Sequence, residues 1–408
     1  MTTEDANDIA ATAYPATDPD PATSGGRLYL DAAAGDRVRP DVVEAMMPFL
    51  TEAWGNPSSV HTDGRTAKRA LEAARASVAT NLGATTEDVI FTSGGTESDN
   101  LAVKGLALAG REAGRPARVL VSAVEHPAVM QSAVWLREVM GFEVETVPVD
   151  AQARIDLRQL RDLLHGRGAA LCCVMMANNE VGTIEPVAEA ARICHEAGTP
   201  IHVDAIQAAG TVPVDFRGLD VDSISVAGHK FGAPHGTGAW LMRPGTPVTP
   251  MMSGGGQERG LRPGTPDVAG AVALAVALDD AVRDMDVRNP ALTDSRDRLI
   301  DAVLRTVPRA RLTGDPHRRL PGHASFVIPG MTGETLLVDL DAQGIECSSG
   351  SACAVGRQET PPTLTAMGID ADDARGALRF SFRRTLSNEE IGRIAAGLHD
   401  SCMAFGLA

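Results

Sequence analysis

Short apolar runs recur along the chain with helix-like stretches between them. From about Thr66 a stretch of helical character, Ala67–Thr80, precedes the run Val89-Ile90-Phe91, and a Gly-Gly turn then leads into another helical stretch. Further apolar runs stand at Arg118–Ser122, Val144–Val149, Leu171–Met176, Ile201–Val203 and Ser223–Val226, most of them separated by helical segments such as Asp156–His165 and Pro186–Ala197. This alternation predicts an α/β fold: a mainly parallel, doubly wound sheet with helices on both faces. The longest apolar stretch, around Val268–Leu278, is too short to span a membrane and reads as a buried helix. After about Asp286 the pattern changes. A helix (Pro290–Val307) leads into a strand (Ala324–Ile328), a helix (Glu334–Gln343), a glycine- and serine-rich loop and a second strand (Ala377–Phe382). From Ser387 a closing helix is expected, with Ser387 as its cap and Glu390 three residues on. Residues 41–285 are therefore expected to form a large domain, and residues 27–40 with 286–408 a smaller α+β domain. Residues 1–26, rich in Ala, Thr, Asp and Pro without a hydrophobic period, read as a disordered tail.

Length and composition narrow the function. The 408 residues, 44% of them hydrophobic, exceed the usual size of one domain. A formal net charge of −16 and a sequence pI near 5.1 argue against nucleic acid and anionic membranes as partners, and the 3% of aromatic residues argues against a base-stacking surface. The six cysteines, Cys172, Cys173, Cys194, Cys347, Cys353 and Cys402, form no C-x-x-C pair, so no zinc or redox-pair spacing and no metal site is expected. Scattered cysteines in so long a chain, with no secretory leader, fit a cytoplasmic protein.

The candidate chemistry begins at Ser225-Val226-Ala227-Gly228-His229-Lys230, where a lysine follows an expected strand. Ligands of open α/β sheets bind at the carboxyl ends of strands. Lysine condenses with aldehydes, and pyridoxal phosphate is the commonest aldehyde cofactor. Alone, such a lysine is ordinarily a solvated charge; its companions decide the reading. Asp204 ends the expected strand at Ile201 and suits the carboxylate that keeps a pyridine nitrogen protonated, although in isolation a turn cap explains it equally well. Gln207 lies three residues on, where it could serve the ring hydroxyl. Ser93-Gly94-Gly95-Thr96-Glu97, between a strand and a helix, offers backbone N–H groups to a phosphate. His126 follows a third strand and could stack on the ring or move protons.

Six ordered motifs carry a resemblance. They are Asn56-Pro57-Ser58-Ser59-Val60-His61, Phe91 to Asn100, Asn178-Asn179-Glu180-Val181-Gly182, His202 to Gln207, Gly228-His229-Lys230 and Ser348-Ser349-Gly350-Ser351-Ala352-Cys353. From about Leu28 to Leu398 the chain closely resembles the cysteine desulfurases, within the class-V aminotransferase group of fold-type I pyridoxal-phosphate enzymes. The resemblance implies a role for each matching residue. Lys230 bears the cofactor, Asp204 meets its pyridine nitrogen, Gln207 touches its ring hydroxyl and His126 stacks on the ring. Gly95, Thr96 and His229 bind the phosphate. Asn179 and Arg379 hold the carboxylate of L-cysteine, and Cys353 accepts the sulfur for delivery to an acceptor protein. Thr265 reaches the phosphate of a neighbouring subunit, which implies a homodimer. Three segments depart from the family pattern: Ala227 stands where a serine is common, Pro263 replaces a serine in the Arg262–Thr265 segment, and Ala33-Ala34-Gly35-Asp36 replaces Ala-Ala-Thr-Thr. A fourth, Ala354–Pro362, departs from the usual acidic-proline pattern. These bear on cofactor retention and acceptor choice more than on the chemistry. Selenocysteine lyase or another lyase of the same fold is the alternative activity, and a catalytically silent scaffold for sulfur carriers is the alternative from outside enzymology.

Overall fold

The computed structural model describes residues 26–349 and 361–406. The expected N-terminal tail lies outside the described residues apart from Gly26, and so does Cys353. The strands are β1 (Leu28–Tyr29), β2 (Val89–Thr92), β3 (Arg118–Ser122), β4 (Glu143–Val147), β5 (Leu171–Cys173), β6 (Ile201–Asp204), β7 (Ser223–Ala227), β8 (Gly238–Met242), β9 (Arg311–Leu312), β10 (His323–Val327), β11 (Ile345–Glu346) and β12 (Ala377–Ser381). The helices used below are α1 (Pro40–Thr51), α2 (Thr62–Asn81), α3 (Gly95–Glu112), α4 (Pro127–Met140), α5 (Leu157–Leu164), α6 (Val187–Glu196), α7 (Val268–Arg283) and α8 (Met285–Thr306).

Seven strands form the main sheet in the order β2-β8-β7-β6-β5-β3-β4. All neighbours run parallel except β8, which is antiparallel to both β2 and β7. Each central strand is buried along its whole length because it is covered on both faces. Leu120 and Cys172 face a core shared with α2, α6 and α7, whereas Val119, Val121, Leu171 and Cys173 face a second core under α3 and α4. Successive side chains on a strand point to opposite faces, so the adjacent cysteines serve two different cores. Local signals set the helix ends. Asp156 caps α5 through Arg158 N and Gln159 N, and Asp267 caps α7 through Gly270 N. The closing helix Asn388–Ala404 starts with the reciprocal Ser387–Glu390 capping box. The apolar stretch from Val268 is α7, packed against α2, and no helix among the described residues is long and apolar enough to cross a membrane.

A separate core lies beyond α7. Leu299 and Val303 of α8, Phe326 of β10 and Phe380 of β12 pack there with Leu28 and Leu30 from the start of the described chain. The early strand β1 pairs in parallel with the late strand β11, and Asp31 bridges to Ser381. The segment following β1 then runs back across the mouth of the main sheet, where Asp36 N reaches His229 O. That crossing places backbone carbonyls of Ala33 and Ala34 over the strand ends.

Candidate active site

The parallel strands deliver their C-terminal residues to one cavity of about 440 Å³. Lys230 enters it from the turn Gly228–Lys230 directly after β7. Its Nζ donates to Ala33 O at 2.6 Å and to Ala34 O at 2.9 Å. Gln207 Nε2 donates to the same Ala33 carbonyl at 2.9 Å. Asp204, at the end of β6, is buried, and its Oδ1 accepts Ile206 N at 2.9 Å. Burial, followed by the nearby Asp99, pushes its carboxyl up to about 7.

His126 caps α4: its Nδ1 accepts Ala128 N at 3.1 Å, with Pro127 in the first helical position. Burial lowers its affinity for a proton, and the nearby Lys230 lowers it further against the opposing pull of Asp204. A neutral ring whose Nδ1 accepts carries its proton on Nε2.

The glycine turn after β2 is built for close approach. Gly94 has φ +147°, open to glycine alone among ordinary residues. A Cβ on Gly95 would stand 2.1 Å from Ile206 Cδ1, and one on Gly238 would stand 2.6 Å from Gly94 Cα. Helix α3 starts at Gly95 with no side-chain cap, so its first N–H groups face the cavity as an anion site beside Thr96. Glu97 accepts Ser93 N at 2.7 Å and Arg262 Nε at 2.8 Å, which ties the turn to the segment carrying Thr265. His229 also lines the cavity; burial and the adjacent Lys230 lower its pKa to about 4. Its ring stacks on His235 with centroids 5.1 Å apart.

On the opposite wall, β12 supplies Arg379, only 1% exposed. Its guanidinium donates to Asn179 O at 2.8 Å and to Asp31 Oδ1 at 2.7 Å. The backbone of Arg379 pairs with Ser348 in both directions, at 2.7 and 3.1 Å. The chain that leads towards Cys353 is thus pinned beside this arginine.

The cavity gathers Gly95, Thr96, His126, Asn179, Asp204, Gln207, His229, Lys230 and Arg379. Thr265 is not among its walls; it is exposed on the segment before α7. Several contributors carry no sequence motif of their own: the carbonyls of Ala33 and Ala34, the aspartate Asp31 behind Arg379, and His235 at the mouth.

A family model described as Aminotransferase class-V matches residues 28–394. The IscS-like cysteine desulfurase of Mycobacterium tuberculosis is 47% identical over 360 residues, 88% of this chain and 91% of that one. The chain belongs to the cysteine desulfurase family of class-V aminotransferases. Among solved structures, a NifS-like protein aligns with TM-score 0.84 at 34% identity, covering 93% of this chain and 100% of that one. The structure of SspA in complex with cysteine aligns with TM-score 0.76 at 28% identity, covering 88% and 99%. Enzymes of this family work with pyridoxal phosphate, and the donor set here fits that molecule. One amine, one buried carboxylate and one uncapped helix start answer its aldehyde, its pyridine nitrogen and its phosphate.

Proposed function

We propose that the protein uses pyridoxal phosphate to remove sulfur from L-cysteine, releasing L-alanine and leaving a persulfide on Cys353 for an acceptor protein. The observation that carries this reading is the convergence of Lys230, Asp204, His126 and the Gly95 helix start on one cavity that also holds Arg379. Lys230 would bear the cofactor, with Asp204 at the ring nitrogen, Gln207 at the ring hydroxyl and His126 on the ring face. Gly95, Thr96 and His229 would hold the phosphate. When bound, the cofactor supplies an electron-withdrawing ring that weakens the substrate's Cα–H bond and then its carbon–sulfur bond.

The protein's own groups do the rest. Arg379 and Asn179 fix the substrate carboxylate, and with it the direction of the Cα–H bond. The Lys230 amine takes the Cα proton. The Cys353 thiolate attacks the substrate sulfur: a sulfur–sulfur bond forms, the carbon–sulfur bond breaks, and its electron pair stays with the carbon skeleton. Two protons complete alanine, so that cysteine and a protein thiol become alanine and a protein persulfide. Neutral His126 adds no charge beside the ring. Incubating purified protein and pyridoxal phosphate with L-cysteine should give alanine and persulfide in equal amounts. A faster release of alanine from selenocysteine, with no protein persulfide, would favour the lyase alternative instead.

Arg379→Lys is expected to raise KM for cysteine roughly 10- to 100-fold with a smaller change in kcat. A lysine cannot reproduce a fork that holds Asp31, Asn179 and a carboxylate together, and a hydrogen bond to a charged group is worth about 1.5–3 kcal/mol. Steady-state kinetics with L-cysteine read the split; an unchanged KM removes Arg379 from the carboxylate site.

The proposed assembly is a homodimer, divided within each subunit into a large unit (41–285) and a small one (27–40 with 286–408). Thr265 is exposed and does not line its own cavity, and Val43, Met47 and Leu50 of α1 are exposed, as are Trp54 and Val60 just beyond it, at 76% and 87%. An apolar surface of that kind marks a protein interface. Light scattering should therefore give twice the 42.6 kDa chain mass, and a fully active monomer would contradict it. A reducing, cytoplasmic setting accords with the five described cysteines, all free thiols.

A further inference from the structure

The floor of the cavity conceals a second carboxylate that the reaction leaves unused. Asp99 lies on α3, one turn inside its glycine start, and is fully buried. One polar atom each of Asp99, Asp204 and His126 lie within 4.8 Å of one another. Behind Asp99 runs a line of buried polar groups. Trp240 Nε1 donates to Ser223 Oγ at 2.7 Å, and Ser223 Oγ stands 2.8 Å from His202 Nδ1. His202 Nε2 is 3.3 Å from Asp99 Oδ1 and 3.4 Å from Ser225 Oγ. Ser223, Ser225 and His202 have no exposed surface. Burial lowers His202 to about 4, so the ring is neutral. With a neutral ring the line is satisfied in either tautomer: Ser223 donates to Nδ1 with the Nε2 proton facing Asp99, or Nδ1–H donates to Ser223 Oγ and a protonated Asp99 donates to Nε2.

Asp204 must be a carboxylate to pair with a protonated ring nitrogen. Two carboxyl groups this close and out of water do not both stay ionised at neutral pH. We propose, on the pyridoxal-phosphate reading above, that Asp99 is a positioning residue that remains a neutral acid, so that the single negative charge of the cavity floor resides on Asp204. The surroundings divide the two in this sense. Asp204 Oδ1 accepts a well-formed 2.9 Å bond from Ile206 N and lies near His126, with Lys230 in the same cavity. Asp99 has one long contact, 3.3 Å to His202 Nε2, and its Oδ2 has no hydrogen-bond partner among the described residues. The titratable groups facing Asp99 from the packed elements are His202 and Asp204 on β6, Cys173 on β5, and Glu125 and His126 before α4. None of them supplies a positive charge: burial keeps Glu125 and Cys173 protonated and both histidines neutral. Burial raises both carboxyls to about 7, so it is the charge of the bound ring nitrogen beside Asp204 that decides between them.

The test is infrared difference spectroscopy on the full-length protein before and after addition of pyridoxal phosphate, with visible absorption recorded on the same samples. Wild type minus Asp99→Asn should show a carboxylic-acid carbonyl band that survives to higher pH once the cofactor is bound. In Asp204→Asn the same band should titrate at least about one pH unit lower, because the neighbouring charge has gone. Asp99→Ser provides the subtraction should the asparagine variant not fold. A structural role alone would move neither the band nor its midpoint. If the cofactor's visible absorption appears but wild type and Asp99 variants have identical acid-carbonyl regions, Asp99 is ionised and the proposal is wrong. If the band is present but its midpoint is the same in Asp204→Asn, Asp99 does not set the charge of Asp204, and the proposal is equally overturned. If no visible absorption develops with pyridoxal phosphate, the cofactor reading fails instead, and the Asp99 band still reports its own protonation state.

Discussion

Lys230→Ala is expected to lower turnover of L-cysteine by about 10³-fold or more, at the upper end of what a positioned proton-transfer group contributes. The reason lies in how the side chain is held. The turn Gly228–Lys230 follows β7 without a break, and a Cβ at Gly228 would stand 2.3 Å from Thr237 Oγ1, so the backbone there has one available path. The amine then rests on the carbonyls of Ala33 and Ala34, at 2.6 and 2.9 Å. These carbonyls steer the amine towards the cavity. Alanine removes both the attachment point and the base. No neighbour can substitute: His126 is committed through Nδ1 to Ala128 N, and burial disfavours the protonated ring of His229. The variant should fold normally, since Lys230 is only half-buried, and should lack the visible absorption of lysine-bound cofactor. Methylamine in the buffer should restore part of the activity by replacing the lost base. A variant that keeps a tenth of wild-type turnover would show that Lys230 is not the base.

The strand-end residues of this site were legible because of how the sheet is covered. A strand buried on both faces carries few charged residues, so a charged group at or just after its end, as Asp204 and Lys230 are, stands out in the sequence. The glycine turn at Ser93 was legible for the same reason. Other features left no such mark. Strand β8, Gly238–Met242, follows a turn rather than a helix and runs against its neighbours, so strand–helix alternation does not reveal it. Its place between β2 and β7 is decided by long-range pairing. The acceptors of Lys230 are backbone carbonyls, which any residue provides. Asp99 sits in a Ser-Asp-Asn run that reads as solvent-facing; its burial depends on how α3 lies against β6 and β7. Asp31 helps to fix Arg379, yet the two are 348 positions apart and meet because Asp31 bridges to Ser381 on β12.

Cys353→Ala is expected to reduce alanine formation to about 10⁻³ of wild type or less while leaving the bound cofactor and its spectral response to cysteine intact. The two functions separate because they reside on different parts of the chain. On the proposed mechanism carbon chemistry needs Lys230, Asp204 and Arg379, all fixed in strands or tight turns. Sulfur removal needs a thiolate that can reach the substrate and then leave with its cargo, a task suited to a loop. The tether makes this feasible. Ser348 is paired with the backbone of Arg379, and Cys353 is five residues further on. Five residues span at most ~18 Å, enough for the cysteine to reach the cavity whose wall Arg379 forms. Cys347 is a poor replacement. It packs against the core beneath β10 and β12, and burial pushes its thiol well above the ordinary range, so little thiolate forms at neutral pH. Mass analysis of wild-type protein after cysteine, without reductant, should therefore place one added sulfur on the peptide bearing Cys353. If Cys353→Ala still makes alanine and sulfide at the wild-type rate, no persulfide lies on the pathway and the lyase alternative is the better account. Should the added sulfur map only to Cys347, the nucleophile is that residue, and the core around it must open during turnover to let the thiol ionise.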